Sequence, residues 1–108
     1  MAGVKDTAVI DYISTDNDQL KLVMVEDREW DSLENMYIEL QEKLTNYLTF
    51  IESGQLDEKY PELSNAKKVI RLDSVYPESE YARLVINKIR ELLSSKGIGF
   101  EFGVLKEN

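Results

Sequence analysis

The longest amphipathic segment of the chain runs from Trp30 to Gln55. Its apolar residues recur every three or four positions, which is the period of one helix face. They are Trp30, Leu33, Tyr37, Leu40, Leu44, Tyr47, Leu48 and Ile51. Asp27 or Asp31 suits the N-cap, and Glu34 is a capping-box partner for Asp31. Gly54 supplies the left-handed residue that follows many helices. The pattern predicts a first helix of about 24 residues.

Four shorter segments carry apolar and β-branched residues in the alternation of strands, and they predict a sheet. They are Ala8–Ile13, Leu20–Glu26, Lys68–Asp73 and Ile98–Val104. The residues at 14–19 are rich in turn formers, so the first two strands are expected to pair as an antiparallel hairpin.

A second helix is predicted between the third and fourth strands. Pro77 suits its first position and Gly97 its end. Its main apolar face is expected to hold Tyr81, Val85, Ile89 and Leu92, with Ala82, Ile86 and Leu93 on the flank. The connection at 55–66 is long, with a short helical turn before Tyr60 and apolar residues that pack back on the body.

The element order is therefore ββαβαβ, in a single domain at 1–108. Each predicted helix returns the chain to its starting end, so strands two, three and four are expected to be parallel and strand one antiparallel. Right-handed crossovers that step in one direction place both helices on the same side. The predicted fold class is α/β (α+β), a two-layer sandwich of a four-stranded mixed sheet with two helices on one face.

The composition removes most familiar chemistry. The 108 residues include no histidine and no cysteine, the residues that most often serve as general base, thiolate nucleophile or zinc ligand. Asp16-Asn17-Asp18 opens like a calcium loop, but Leu20 stands where a third ligand belongs, so a solvated turn is the better interpretation. We expect no catalytic residue, no metal ligand and no cofactor.

The net charge of −8 is unevenly distributed. Residues 1–66 hold 15 acidic and 5 basic residues, whereas residues 67–108 hold 6 acidic and 8 basic residues. This charge argues against nucleic acid and anionic membranes as partners and favours a basic protein or simple solubility. No run of apolar residues is long enough to span a membrane, and no signal-peptide pattern precedes the first strand, so we expect a cytoplasmic protein.

Two apolar surfaces exceed what one core needs. On the sheet, Val9, Ile13, Val23 and Val25 are predicted to face away from the helices. On the first helix, Met36, Leu40, Tyr47 and Phe50 widen the apolar stripe to roughly 160°. Exposed apolar patches usually mark partner surfaces, although the 55–66 connection is equally able to cover one of them. The sequence therefore predicts a protein partner, either a second copy or a basic protein.

Three motifs carry a resemblance. They are D-x-x-W-D at Asp27 to Asp31, Q-E-K-L at Gln41 to Leu44, and Y-L-x-F-I-E-S-G-Q at Tyr47 to Gln55. With the V-I-D-Y-I segment at 9–13 and two Tyr-Pro pairs, the chain resembles a family of small uncharacterised bacterial proteins that carries a domain-of-unknown-function label. The resemblance implies a bacterial cytosolic protein and provides no catalytic residue. The polar and aromatic positions that it singles out for mutation are Trp30, Gln41, Glu42, Tyr47, Glu52 and Ser53.

The leading functional hypothesis is a non-enzymatic interaction or regulatory protein, with a homodimer as one form of the interaction. One alternative is an immunity-type acidic inhibitor of a basic toxin. The other is a carboxylate-dependent enzyme or small-ligand binder that uses Glu34, Gln41 and Glu52 beside tyrosine hydroxyls, and it requires these groups to meet in one pocket.

Overall fold

The computed structural model describes residues 3–8, 10–16 and 18–105, with no side chain described for Asp16. The strands are β1 (Tyr12–Asp16), β2 (Gln19–Glu26), β3 (Lys67–Ser74) and β4 (Gly99–Val104). The helices are α1 (Met36–Glu52), the short α2 (Gln55–Lys59) and α3 (Glu80–Ser95), with a 3₁₀ turn at Pro61–Leu63. The predicted order is confirmed, and the helical turn predicted within 55–66 is α2.

The four strands form one mixed sheet in the order β1-β2-β3-β4. β1 is antiparallel to β2, whereas β2, β3 and β4 are parallel. Both crossovers step in the same direction, so α1 and α3 cover the same face of the sheet. Leu22 and Leu72 of that face share one buried core with Leu40 of α1 and Leu93 of α3. The predicted two-layer architecture is confirmed.

The first helix begins later than the sequence pattern predicts. Its N-cap is Asn35, and residues 30–35 form turns. Asp31 has a φ of 66°, which is incompatible with a right-handed helix, so capping by Asp27 or Asp31 was wrong. Trp30 lies in the loop before α1, and its ring still packs in the core. Gly54 has the expected left-handed φ of 87°.

The second long helix is rotated relative to the prediction. Ser79 caps it by accepting a hydrogen bond from the Ala82 backbone N–H at 3.1 Å, so Pro77 lies outside the helix. The buried residues are Ala82, Ile86, Ile89 and Leu93. Tyr81 and Leu92, predicted on the main buried face, are exposed. Gly97 follows the helix with a φ of 74°, as predicted.

The first strand lies further along the chain than predicted, and this reverses the assignment of its faces. Ile13 pairs with Leu22 and Tyr12 pairs with Val23. Residues that pair across strands share a face, so Ile13 lies on the helix-covered face and Tyr12 on the open face. Val9 lies outside the described residues. No helix in the described ranges is long and apolar enough to cross a membrane.

Candidate interaction surface

The open face of the sheet is covered by its own long side chains. Val23 is 2% exposed and Val25 is 8% exposed, so the predicted bare apolar patch was wrong. Above them, Lys21 pairs with Glu101 at 3.1 Å, and Arg71 bridges Asp73 at 2.7 Å and Glu101 at 3.0 Å. The stems of long charged side chains shield apolar surface while their charged ends stay near water.

The charges of this network set the pKa values of its members. Burial raises the pKa of Glu101, but the hydrogen bonds and charges of Lys21 and Arg71 outweigh burial and lower it overall. The pKa of Tyr12 is raised by burial and by Asp73, which accepts its hydroxyl hydrogen bond at 3.3 Å. Gly103 makes the arrangement possible, because a Cβ there would overlap Arg71 Nη2. The open face is thus a satisfied polar surface.

A fully buried ion pair fastens the N-terminal segment to α1. Lys43 Nζ lies 2.8 Å from Asp11 Oδ1, and neither side chain is exposed. The ammonium group also donates to the carbonyls of Gly3 at 2.6 Å and Asp6 at 3.0 Å. Asp11 in turn accepts from the backbone N–H groups of Gly3 and Val25. All three ammonium protons have partners, so this lysine is a structural element of the core.

Tyr47 closes the edge of β2 beside this pair. Its buried hydroxyl donates to the Val23 carbonyl at 2.8 Å and accepts from the Asp11 backbone N–H at 3.1 Å. Burial raises the pKa of Tyr47, and the charge of Asp11 acts in the same direction. The hydroxyl replaces a strand partner at the point where the β1–β2 ladder ends.

The loop before α1 is held by a second set of buried contacts. Arg28 makes two hydrogen bonds to the buried Glu26 carboxylate, at 2.8 and 2.9 Å, and a third to Glu39 at 2.7 Å. Trp30 Nε1 donates to Ser74 Oγ at 3.0 Å. Hydrogen bonding to Glu26 is the main cause that raises the pKa of Arg28. Carboxylates of the flanking elements β2 and α1 therefore neutralise the one cation of this loop.

A groove of about 400 Å³ separates α1 and α3 on the outside of the helix layer. Its lining is mostly apolar and consists of Tyr37, Leu40, Gln41, Leu44, Tyr81, Val85, Lys88, Ile89 and Leu92. Apolar side chains also stand exposed on the helices that form it: Ile38 (57%), Tyr81 (57%), Leu84 (61%) and Leu92 (48%). We call the exposed surface of α1 and α3, with this groove, the helix face. The groove lining and the exposed side chains beside it make this surface largely apolar.

Two contacts fix the alignment of the helices along this groove. At one end the rings of Tyr37 and Tyr81 meet edge-to-face at 4.8 Å. At the other end Lys96 Nζ lies 3.4 Å from Glu52 Oε2. Both pairs are 44 positions apart in the sequence. Because this sequence separation is the same at both ends, α1 and α3 run parallel and in register. The same two helices therefore form the sides of the groove along its length.

The tyrosine end of the groove carries a carboxylate. Tyr37 donates its hydroxyl to Asp31 Oδ1 at 2.5 Å. Burial is the main cause that raises the pKa of Tyr37 to about 12, and the hydrogen bond to Asp31 adds to it. Hydrogen bonds from Tyr37 and Ser79 lower the pKa of Asp31. The carboxylate thus stays ionised and fixed beside the groove.

The structure separates the predicted surface residues into three groups. Trp30, Met36, Tyr47, Val23 and Val25 are buried, so their prediction as interaction surface was wrong. Phe50 and Ile13 are partly buried and pack against the core. Gln41, Glu42, Glu52 and Ser53 are exposed, and of these only Gln41 lines the groove.

Sequence reasoning missed the contribution of α3 to this surface. Tyr81, Leu84 and Leu92 were assigned to the core or passed over because apolar residues at helical spacing are usually buried. The number of apolar residues in α3 is the signal that could have identified them. This helix carries more apolar residues than the side packed against the sheet requires.

The carboxylate hypothesis required Glu34, Gln41 and Glu52 to meet in one pocket, and the structure does not bring them together. Glu52 lies at the far end of α1 beside Lys96, and Glu34 is exposed before the helix begins. Within residues 3–8, 10–16 and 18–105, no group of three acidic side chains is placed to hold a metal ion.

We expect the free energy of unfolding to fall as the pH rises from 10 to 12. A tyrosine in the unfolded chain ionises near its ordinary value of 10.0, whereas Tyr37 in the folded protein ionises at about 12. The folded state therefore holds this proton more tightly, which stabilises it below pH 10, and the contribution is lost as the pH rises through 12. Urea unfolding of wild type and Tyr37→Phe across this range measures it. Parallel pH profiles for the two proteins would contradict the assignment.

Comparison with known proteins gives a family and no function. No curated protein and no solved structure matches the chain. Residues 2–106 match the model of a family of unknown function, DUF6572. This match spans the whole described fold, including the buried Lys43–Asp11 pair and both walls of the groove, and it confirms the predicted resemblance to an uncharacterised family. The chain belongs to the DUF6572 family of unknown function.

Proposed function

We propose that this protein is a non-enzymatic interaction protein of the bacterial cytosol and that it associates with a second copy of itself through the helix face. The observation that carries the proposal is the apolar groove between α1 and α3, flanked by the exposed side chains of Ile38, Tyr81, Leu84 and Leu92. Exposed apolar surface of this kind is typical of a protein contact. In the described part of the chain, the open face of the sheet instead presents the ion pairs of Lys21, Arg71 and Glu101.

The area of the helix face indicates the strength of association. Helices of 16 and 17 residues are about 25 Å long at 1.5 Å per residue. Two neighbouring helices with axes 8–10 Å apart are together about 20 Å wide. The face therefore measures about 500 Å², below the roughly 800 Å² that each partner contributes to a standard stable interface. We expect a weak dimer whose population depends on concentration.

The net charge acts against this association. Each copy carries a formal charge of −8, so two copies repel each other at low ionic strength. The screening length falls from about 30 Å at 0.01 M salt to about 8 Å at 0.15 M. Added salt should therefore strengthen the dimer, because it screens the repulsion while the apolar contact remains.

Leu92→Glu should weaken self-association by at least about tenfold, because each dimer loses two buried leucine contacts and gains two buried charges. Leu105→Glu is the matched control, since Leu105 is exposed to a similar extent (50%) and follows β4, away from the groove. Sedimentation velocity over a concentration series at 0.3 M salt measures both variants. A wild-type protein that remains monomeric throughout would overturn the proposed self-association, and so would equal effects of the two substitutions.

The loop between β2 and α1 favours a second candidate function, the acidic inhibitor of a basic protein. Its four exposed acidic residues are Asp27, Glu29, Asp31 and Glu34. Between them Leu33 is largely exposed, while the cation of Arg28 is already paired with Glu26 and Glu39. An apolar side chain among unpaired acids complements a basic surface. A neighbouring gene for a basic toxin that forms a one-to-one complex with this protein would favour this candidate over the dimer.

A further inference from the structure

We infer that the two copies of the dimer are related by a two-fold axis that runs along the groove, so that α1 of each copy lies over α3 of its partner. This inference rests on the proposed function and specifies its geometry. It follows from the register of the two helices and from the residues that each presents to solvent.

The register determines which residues share a level along the groove. Tyr37 lies beside Tyr81 and Glu52 lies beside Lys96, so each α1 residue is level with the α3 residue 44 positions later. A two-fold axis parallel to the groove preserves the direction and the level of every helix. In that arrangement each residue of α1 lies opposite the level of the residue 44 positions later in the partner's α3.

Two kinds of complementary contact result. Ile38 is level with Ala82, and the partner's Leu84 is two residues further along α3, about 3 Å at 1.5 Å per residue. Both side chains are more than half exposed on the outer side of their helices. Glu42 and the partner's Lys88 have the same offset, and Lys88 forms no ion pair among the described residues. Glu42 accepts a long hydrogen bond from Thr7 Oγ1 at 3.3 Å. The two-fold symmetry repeats each contact. The dimer therefore has two apolar contacts between Ile38 and Leu84 and two ion pairs between Glu42 and Lys88.

The other isologous arrangement places the axis across the groove. It puts α1 over the partner's α1 and α3 over the partner's α3, each pair antiparallel. The exposed charges of α1 are acidic because its only lysine, Lys43, is buried. Glu42 would then approach acids of the partner's α1, and Lys88 would approach the partner's Lys88. Like charges in apposition oppose association, which favours the axis along the groove.

A charge-swap series tests the axis by sedimentation equilibrium. Glu42→Lys and Lys88→Glu should each weaken the dimer about fivefold, because each places like charges in two symmetric contacts. The double variant Glu42→Lys/Lys88→Glu should recover the wild-type dissociation constant. Single variants that leave association unchanged, or a double variant weaker than both, would overturn the inferred axis.

Disulfide trapping gives an independent readout, since the chain has no cysteine of its own. Thr45→Cys and Lys88→Cys lie within one residue of the same level on facing helices. In an equimolar mixture, mild oxidation should link a Thr45→Cys chain to a Lys88→Cys chain. Disulfides between like chains, with association intact by sedimentation, would reject the axis and leave the proposed function standing. Loss of all association in the wild type would reject the proposed function itself.

Discussion

Lys43→Met is expected to lower the free energy of unfolding by about 3–5 kcal/mol, the usual cost of breaking a buried ion pair from one side. Methionine fills the volume of the lysine stem but leaves the Asp11 carboxylate buried without its counter-ion. It also leaves the Gly3 and Asp6 carbonyls without the ammonium donor that reaches both of them. Urea unfolding followed by circular dichroism measures the loss.

Lys59→Met is the matched control, because Lys59 is exposed in α2, outside the groove, and the substitution breaks no ion pair in the described part of the chain. We expect it to change stability by less than about 0.5 kcal/mol. The double variant Lys43→Met/Asp11→Ala removes both charges, so its loss should be smaller than the sum of the two single losses. Additive losses, or equal effects of Lys43→Met and Lys59→Met, would show that the pair does not stabilise the fold as argued.

Trp30→Ala is expected to cost about 3–5 kcal/mol, the range for removing a large buried aromatic side chain. The indole is a member of the core, stacks on Tyr37 with ring centroids 6.0 Å apart, and donates to Ser74 Oγ. Trp30→Phe keeps most of the packing and removes the hydrogen bond, so its loss should be about 1–3 kcal/mol. Thermal and urea unfolding by circular dichroism compare the two.

The control for the hydrogen bond is Ser74→Ala in the Trp30→Phe background. If the loss in Trp30→Phe comes from leaving Ser74 Oγ without its donor, the additional change should be smaller than the effect of Ser74→Ala in the wild type. Ser74 Oγ also donates to the Tyr76 carbonyl at 2.6 Å, so a small residual cost remains in both backgrounds. If Trp30→Ala is as stable as the wild type, the indole does not contribute to the stability of the core, and the prediction is wrong.

The residues that carry the family resemblance are for the most part structural. Trp30 ties the loop to β3, Lys43 and Tyr47 hold the N-terminal segment, and Gly54 ends α1 with a left-handed backbone. Such residues specify the fold. The helix face includes Gln41 and Glu42 of the signature together with positions outside it, among them Tyr81, Leu84 and Leu92 of α3. Functional mutagenesis is therefore better directed at the exposed residues of α1 and α3 than at the buried residues of the signature.

The sequence by itself determined the number, type and order of the long elements. Apolar spacing of three and four residues identifies α1 and α3, two-residue alternation identifies β3 and β4, and Gly54 and Gly97 mark the helix ends. The handedness of crossover connections then places both helices on one face. These features follow from local backbone geometry and from patterns within single elements, so no knowledge of distant contacts is needed to predict them.

Only the tertiary structure decided which apolar residues are core and which are surface. The β1 register, with Ile13 opposite Leu22 and Tyr12 opposite Val23, placed Ile13 on the covered face and Tyr12 on the open one. Long charged side chains from neighbouring strands cover Val23. In α3, the side that carries Ala82, Ile86 and Leu93 is buried, which leaves Tyr81 and Leu92 in the groove. The sequence places Lys43 among the apolar positions of α1, and its charge is accommodated there because Asp11, 32 positions earlier, provides the counter-charge. Each of these outcomes depends on partners far apart in the chain, and periodicity within one element carries no information about them.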